Sequence, residues 1–346
     1  MECSGNNECM RTPASYFRGI SHPEGYHGRG VRHGFFEGWY IKLVTADLGE
    51  RWAVIPGIFR GLGEAGSAEA ARDEAFVQVL DGLTGRAWYH RFDPSEFEAA
   101  EGRFEVRVGP NTFSAESVHL ETPQLTGDIS FTSALDPWPV TLQAPGAMGW
   151  YGHVPFMECF HAVVSFGHGL SGSLVVEGTM RSFDSGRGYI EKDWGKAFPA
   201  GYVWLASNHI DTAPDASLIG SVAIIPWLGG AFRGFLVGLK HGGTLYRWST
   251  YTRAKQLRLE VDDTHVYWSV EGRDGRLDLV AERVRGGLLK APQRKAMLER
   301  VEETLDAKVQ VRHSAPDGRV LLEGTASATG LEIVGDIDRL IGLKGR

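Results

Sequence analysis

Short apolar runs broken by Asp-Gly, Glu-Gly, Gly-Pro-Asn and Thr-Gly-Asp turns follow one another from Ala87 to Val140. No amphipathic helix interrupts them, and this spacing of strand and turn is that of a β-sandwich or barrel. Upstream, Phe35 to Val44 is a strand rich in aromatic and branched residues, with Arg51 to Phe59 and Ala75 to Leu80 as its successors. A loop through Asp136-Pro-Trp-Pro139 and Gln143-Ala-Pro-Gly146 leads to Pro155–Phe166, the most apolar strand of the chain. Further strands are predicted over 232–240, 244–252, 257–261, 265–270, 277–283, 307–312 and 320–325. Only Pro292 to Leu305 carries helical spacing, with Met297, Val301 and Leu305 on one face behind a proline. The reading is an all-β chain with one late α-helix.

Two features suggest that the strands fall into two sets. Glu37-Gly-Trp-Tyr40 is echoed by Gly201-Tyr-Val-Trp204, and Val54-Ile-Pro56 by Ile224-Ile-Pro226, at similar offsets. Such an echo is what a duplicated unit leaves behind. The expected division is a disordered tail over 1–15, a first β domain over 16–197 and a second over 198–346, with the crossing between Gly195 and Gly201. Gly61 to Asp73, rich in Ala, Gly and Glu, is expected to be a loose connection or a short exposed helix.

Composition removes several function classes. With 42% apolar and 11% aromatic residues the chain can fill a core, and a net charge of −7 without basic clusters argues against nucleic acid. Three cysteines imply no disulfide framework, and the first ten residues lack the apolar segment of a secretory signal. The expected location is therefore cytoplasmic. Ala216 to Phe232, though uncharged, is short and broken by Pro226 and glycines, so it reads as buried strands joined by a turn. No Gly-x-Gly-x-x-Gly, Walker or Gly-x-Ser-x-Gly motif is present, and the twelve histidines lack tight ligand spacing, so neither a cofactor nor a metal is expected.

The candidate chemistry centres on Arg187 to Gly195, Arg-Gly-Tyr-Ile-Glu-Lys-Asp-Trp-Gly, behind the turn Asp184-Ser-Gly-Arg-Gly188. As a strand it places Tyr189, Glu191 and Asp193 on one face. Carboxyls two positions apart lie roughly 7 Å from each other, close enough in a dry site for one to keep its proton at neutral pH. The alternative is a solvated face with an ordinary Lys192. Glu37 and Glu158 also sit among aromatic residues, where a carboxyl becomes a better acid; either could instead anchor a loop or pair with an arginine. The rings of Trp39, Tyr40, Trp150, Tyr151, Trp194 and Trp204 either fill the core or line a cavity that shields a cation.

Gly-Tyr-Ile-Glu-Lys-Asp-Trp-Gly resembles the signature of the tocopherol cyclase family and, more distantly, the Gly-Tyr-x-Asp-x-Asn-Trp-Gly segment of carotenoid hydratases. Phe35-Phe-Glu-Gly-Trp-Tyr40, Gly149–His161, Phe198-Pro199 and Arg283–Leu289 extend the likeness along nearly the whole ordered chain. The resemblance implies a pair of lipocalin-like antiparallel barrels. It also implies an isomerase-type cyclase of vitamin E biosynthesis that closes a chromanol ring on a lipophilic prenylated hydroquinone without a redox cofactor. On that reading Glu191 protonates the alkene, Tyr189 and Asp193 orient it, and Glu158 or His161 accepts the phenol proton. Glu37, Trp39, Tyr40, Trp150, Tyr151, Trp194 and Trp204 are then the candidate substrate-binding residues. Plant members carry a plastid transit peptide and this chain shows none, which suggests a homologue whose prenyl substrate need not be a tocopherol precursor. A non-catalytic lipid carrier and a hydratase or pericyclic cyclase on the same scaffold are the alternatives, and peripheral membrane contact is left open.

Overall fold

The computed structural model describes residues 20–63 and 72–345; the expected tail over 1–15 and most of the connection after Gly61 lie outside them. Among the described residues the strands form two antiparallel sheets, twelve strands between Phe35 and Gly195 and eleven between Gly201 and Gly335. The chain passes from one to the other through 196–200.

Arg187–Gly195 is an interior strand, paired on one side with Phe35–Val44 and on the other with Cys159–Val176. Its backbone groups are thus satisfied on both edges, and its side chains have only the two sheet faces to occupy. In the second sheet Gly201–Ser207 has the same interior place, between Ser217–Trp227 and Val320–Gly335. Ser217–Trp227 and Gly230–His241 make a hairpin out of the uncharged stretch around Pro226.

Each sheet curls around its own apolar cluster. In the first, Trp39, Val54 and Val77 meet Phe104, Phe113 and Ile129 from the far end of the sheet. In the second, Trp248 and Trp268 pack against Val203, Val237 and Val309. A further cluster joins the sheets, with Tyr40, Ala53 and Tyr189 from the first against Tyr202, Trp204 and Leu305 from the second. The Arg187 guanidinium, pointed at the second sheet, donates to the carbonyls of Asn208 (2.6 Å) and Asp215 (3.0 Å).

The helix expected over Pro292–Leu305 is absent. Gly287–Pro292 and Met297–Ser314 are strands paired with each other, and the described α-helix of the C-terminal region is Ile337–Gly342. A spacing of four fits a strand as well as a helix, since Met297, Val301 and Leu305 are all an even number of residues apart. The burial decides it: Glu303, Ala307, Val309, Val311 and His313 continue the same buried face. None of the described helices is long and apolar enough to cross a membrane.

Candidate active site

Alternation along Arg187–Gly195 sends Tyr189, Glu191 and Asp193 toward the second sheet, while Ile190, Lys192 and Trp194 face the other way. Between the sheets lies a cavity of about 190 Å³, bounded by Glu191, Asp193 and His161 on one side and Tyr202, Trp204 and Glu332 on the other. The rest of its wall is mostly apolar, including Phe36, Ile55, Phe76, Met157, Phe198 and Leu236.

Glu191 is buried, and both of its donors reach one oxygen. Tyr189 Oη donates to Oε2 at 2.6 Å and Trp204 Nε1 to the same atom at 3.2 Å. Burial pushes the carboxyl up to about 7; the His161 charge opposes this, Asp193 adds to it, and the two hydrogen bonds oppose it weakly. His161 stands between two acids, with Nδ1 3.1 Å from Asp193 Oδ1 and Nε2 3.9 Å from Glu191 Oε2. Burial works against its charged form, but Asp193 and then Glu191 outweigh burial and raise the imidazole to about 9. At neutral pH the strand therefore presents a carboxyl near its titration midpoint beside an imidazolium.

A second acidic group adjoins the first, and the sequence reading had not identified it. Glu303 and Glu332 face each other across paired strands, with Trp204 directly opposite Glu332 on the next strand. Tyr40 donates to Glu303 Oε1, and Tyr202 donates to Glu332 Oε2 at 2.6 Å. Burial raises Glu332 to about 8, aided by the charges of Glu191 and Asp193 and opposed by the Tyr202 bond. Glu303 is pushed well up by burial and by Glu332. Lys42 lies two residues beyond Tyr40 on the same strand face and donates to the Ala328 and Ala206 carbonyls. Its burial lowers the amine to about 7 despite the nearby Glu303 and Glu191 charges. A signal for Glu303 was present: it shares strand parity with Val301 and Leu305, an acid on an apolar face, and the helical reading concealed it.

Strand parity also sorts the remaining sequence candidates. Tyr40, Tyr151, Glu158, His161, Glu191, Asp193 and Trp204 border the cavity. Tyr189 sits behind Glu191, fully buried. Glu37, Trp39 and Trp194 are brought together on the opposite face, away from the cavity, which corrects their reading as substrate-binding residues. Glu37 accepts from the backbone amides of His27 (2.9 Å) and Gly28 (3.1 Å) and pairs with Lys192 Nζ at 2.5 Å. Trp39 donates to the Glu24 carbonyl, and Trp194 stacks between His27 and Phe160. Trp150 is 43% exposed and stacks on Tyr151. Glu158 borders the cavity in an ion pair with Arg294 at 2.8 Å.

His161, Glu191 and Asp193 offer one nitrogen and two carboxylate oxygens within 4.8 Å of one another, a set that could hold a divalent cation. A cation there would compete with the protons on Glu191 and His161.

Residues 111–335, a stretch that includes His161, Glu191, Asp193, Glu303 and Glu332, match the tocopherol cyclase-like family. The chain belongs to the tocopherol cyclase-like family. Tyr40 and Lys42, which complete the buried acidic group, lie before the matched stretch. This tocopherol cyclase-like chain is 21% identical to the chloroplastic tocopherol cyclase assigned in Oryza sativa subsp. japonica, over 95% of its own length and 79% of the rice protein. Among solved structures it resembles a protein from Nitrosomonas europaea assigned as AttH, with a TM-score of 0.55 at 14% identity, covering 91% of this chain and 95% of that one. Kievitone hydratase from Nectria haematococca gives 0.50 at 14% identity, with 87% and 89% covered. At these identities the structural likeness establishes the lipocalin-like all-β fold of the tocopherol cyclase-like chain.

Proposed function

We propose that the protein is a cyclase that closes a chromanol-type ring on a prenylated hydroquinone, with Glu191 as the proton donor. The observation that carries the reading is a buried carboxyl, held near neutral pKa, bordering an apolar cavity between aromatic rings. Membership of the tocopherol cyclase-like family supports a cyclase-type reaction on a lipophilic substrate.

The site chemistry then runs as follows. Tyr189 and Trp204 both donate to Glu191 Oε2, so the acidic proton resides on Oε1. That proton passes to the less substituted alkene carbon: the O–H bond breaks, a C–H bond forms, and a tertiary cation is left. The rings of Tyr40 and Trp204, with centroids 5.3 Å apart, border the cavity beside Glu191, where a cation formed by this step is shielded from water. The ionised Glu191 is stabilised by its two donors and by the His161 imidazolium. The phenol oxygen attacks the cation. His161 passes its proton to Glu191 and takes the phenol proton in exchange, with Asp193 holding the ring in place. The cycle ends with no net change of protons or electrons. Glu158, committed to Arg294, is left out of the relay, so His161 rather than Glu158 is the acceptor. Holding the flexible prenyl chain beside the phenol supplies much of the remaining acceleration.

Incubating the protein with a set of prenylated hydroquinones and analysing the products tests the proposal. In D₂O each turnover places one deuterium on the carbon next to the new C–O bond. A hydrated, uncyclised product would show that water takes the place of the phenol oxygen; tight binding with unchanged substrate would show a carrier.

The pH profile is a second expectation. An acid must be protonated to act, and Glu191 titrates at about 7. The rate is therefore level below that pH and falls about tenfold per unit above it. A profile that rises through this range would remove Glu191 as the donor.

A further inference from the structure

Between Asp136 and Glu158, and again between Asp215 and Arg233, the chain carries no Asp, Glu, Lys or Arg, in a protein that is 23% charged. Charge-free stretches are ordinary inside a core, but both of these come to the surface. Leu142 is 94% exposed, Phe156 56% and Leu228 82%. Leu228 is the more unusual because it sits at the tip of the hairpin between Ser217–Trp227 and Gly230–His241 with φ of 45°, ahead of Gly229. That left-handed turn position is ordinarily taken by Asn, Asp or Gly, which are both more polar and less strained there.

Aromatic contacts join the two segments into one platform. Trp227 packs against Phe156 at 5.2 Å, Tyr151 at 5.7 Å and Trp150 at 6.3 Å between ring centroids. The same segments build one end of the cavity, through Met148, Tyr151 and Met157 from the first and Ile225 and Pro226 from the second. Pro226 both borders the cavity and is exposed to solvent.

We infer that this platform docks on a zwitterionic lipid bilayer, with Leu142, Phe156 and Leu228 entering the acyl boundary and the cavity end facing the membrane. Charge selects the partner. Neither segment has a cation to meet an anionic headgroup, and the net charge of −7 repels an anionic surface. The matching surface is hydrocarbon beneath headgroups of no net charge, with Trp150 and Trp227 at interfacial depth. A second copy of this chain fits less well, because the strongly exposed apolar side chains are few, Leu142, Phe156 and Leu228, whereas a stable dimer needs a broad, mutually complementary face. The inference stands on the surface alone and does not depend on the reaction proposed above.

Flotation of the full chain with phosphatidylcholine vesicles tests it. The protein is expected to float with the vesicles, undiminished by added salt and not strengthened by anionic lipid. The combined variant Leu142→Asp, Phe156→Asp, Leu228→Asp is expected to lose at least tenfold in partitioning while keeping the parent's circular dichroism and melting temperature. Should the combined variant fail to fold, Leu228→Asp alone, at an exposed turn, reads the same loss at smaller size. Absence of flotation, flotation that requires anionic lipid and disappears with salt, or undiminished flotation of the folded variants would each overturn the inference. Light scattering that shows a dimer which these variants split, without vesicle binding, would assign the platform to a second copy instead.

Discussion

Replacing Glu191 by glutamine lowers turnover by about 10²- to 10⁴-fold with KM within a few-fold of the parent, the range expected for loss of a positioned general acid. The amide fits the same space, and its oxygen accepts from Tyr189 and Trp204 as Oε2 does. What it lacks is a proton acidic enough to reach an alkene. The variant also removes a negative charge that helps hold His161 at about 9, so the imidazole titrates lower and its NMR titration shifts down. That shift separates a correctly folded but inactive site from a disordered one. Glu158→Gln, beside Arg294 at the rim, keeps most of the activity. If Glu158→Gln is inactive and Glu191→Gln cyclises at the parental rate, the donor is Glu158.

Lys192→Met destabilises the protein by about 3 to 5 kcal/mol, the usual result of removing one member of a buried ion pair. Lys192 and Glu37 are both fully buried at 2.5 Å, on the sheet face away from the cavity. The ammonium also reaches the Pro23 carbonyl (3.2 Å) and His27 Nδ1 (2.8 Å), and it lies over the rings of Trp39 and Trp194. Removing it leaves a buried carboxylate whose charge was balanced in large part by Lys192, and loosens the loop over 22–28 that the pair fastens to the sheet. The double variant Lys192→Met, Glu37→Gln recovers part of the loss, since no charge is then stranded. Urea unfolding of the two single variants and the double measures the coupling, and a loss below about 1 kcal/mol for Lys192→Met would refute the account. Burial raises the Glu37 carboxyl, but Lys192 and His27 outweigh it and hold the group below its ordinary 4.5. A depressed acid contributes its stability above the ordinary value. The parent's advantage over the double variant is therefore complete above about pH 4.5 and fades as the pH falls through the depressed value.

Much of the site was legible because strands have a simple period. Once Arg187–Gly195 is read as a strand, Tyr189, Glu191 and Asp193 must share a face, and in the folded protein Glu191 and Asp193 border the cavity with Tyr189 hydrogen-bonded behind. The same period, applied to Phe35–Val44, separates Tyr40 from Glu37 and Trp39. What periodicity leaves open is which of the two faces meets the other sheet, and both faces of this strand are aromatic. Glu303 was hidden by a different ambiguity, because residues four apart coincide on a helix and on a strand alike.

The sequence by itself determined an all-β chain, its chief turns, the family and the strand that carries the acid, because each follows from neighbours a few residues apart. The tertiary structure decided which acids are acidic. Glu37 and Glu191 lie on neighbouring strands of one sheet, equally surrounded by aromatic residues in sequence, yet a lysine lowers one and burial against a second sheet raises the other to about 7. Desolvation and Coulomb interactions depend on distances across the fold, and Glu332 and Trp204, which share the Glu191 pocket, come from strands that only folding brings there.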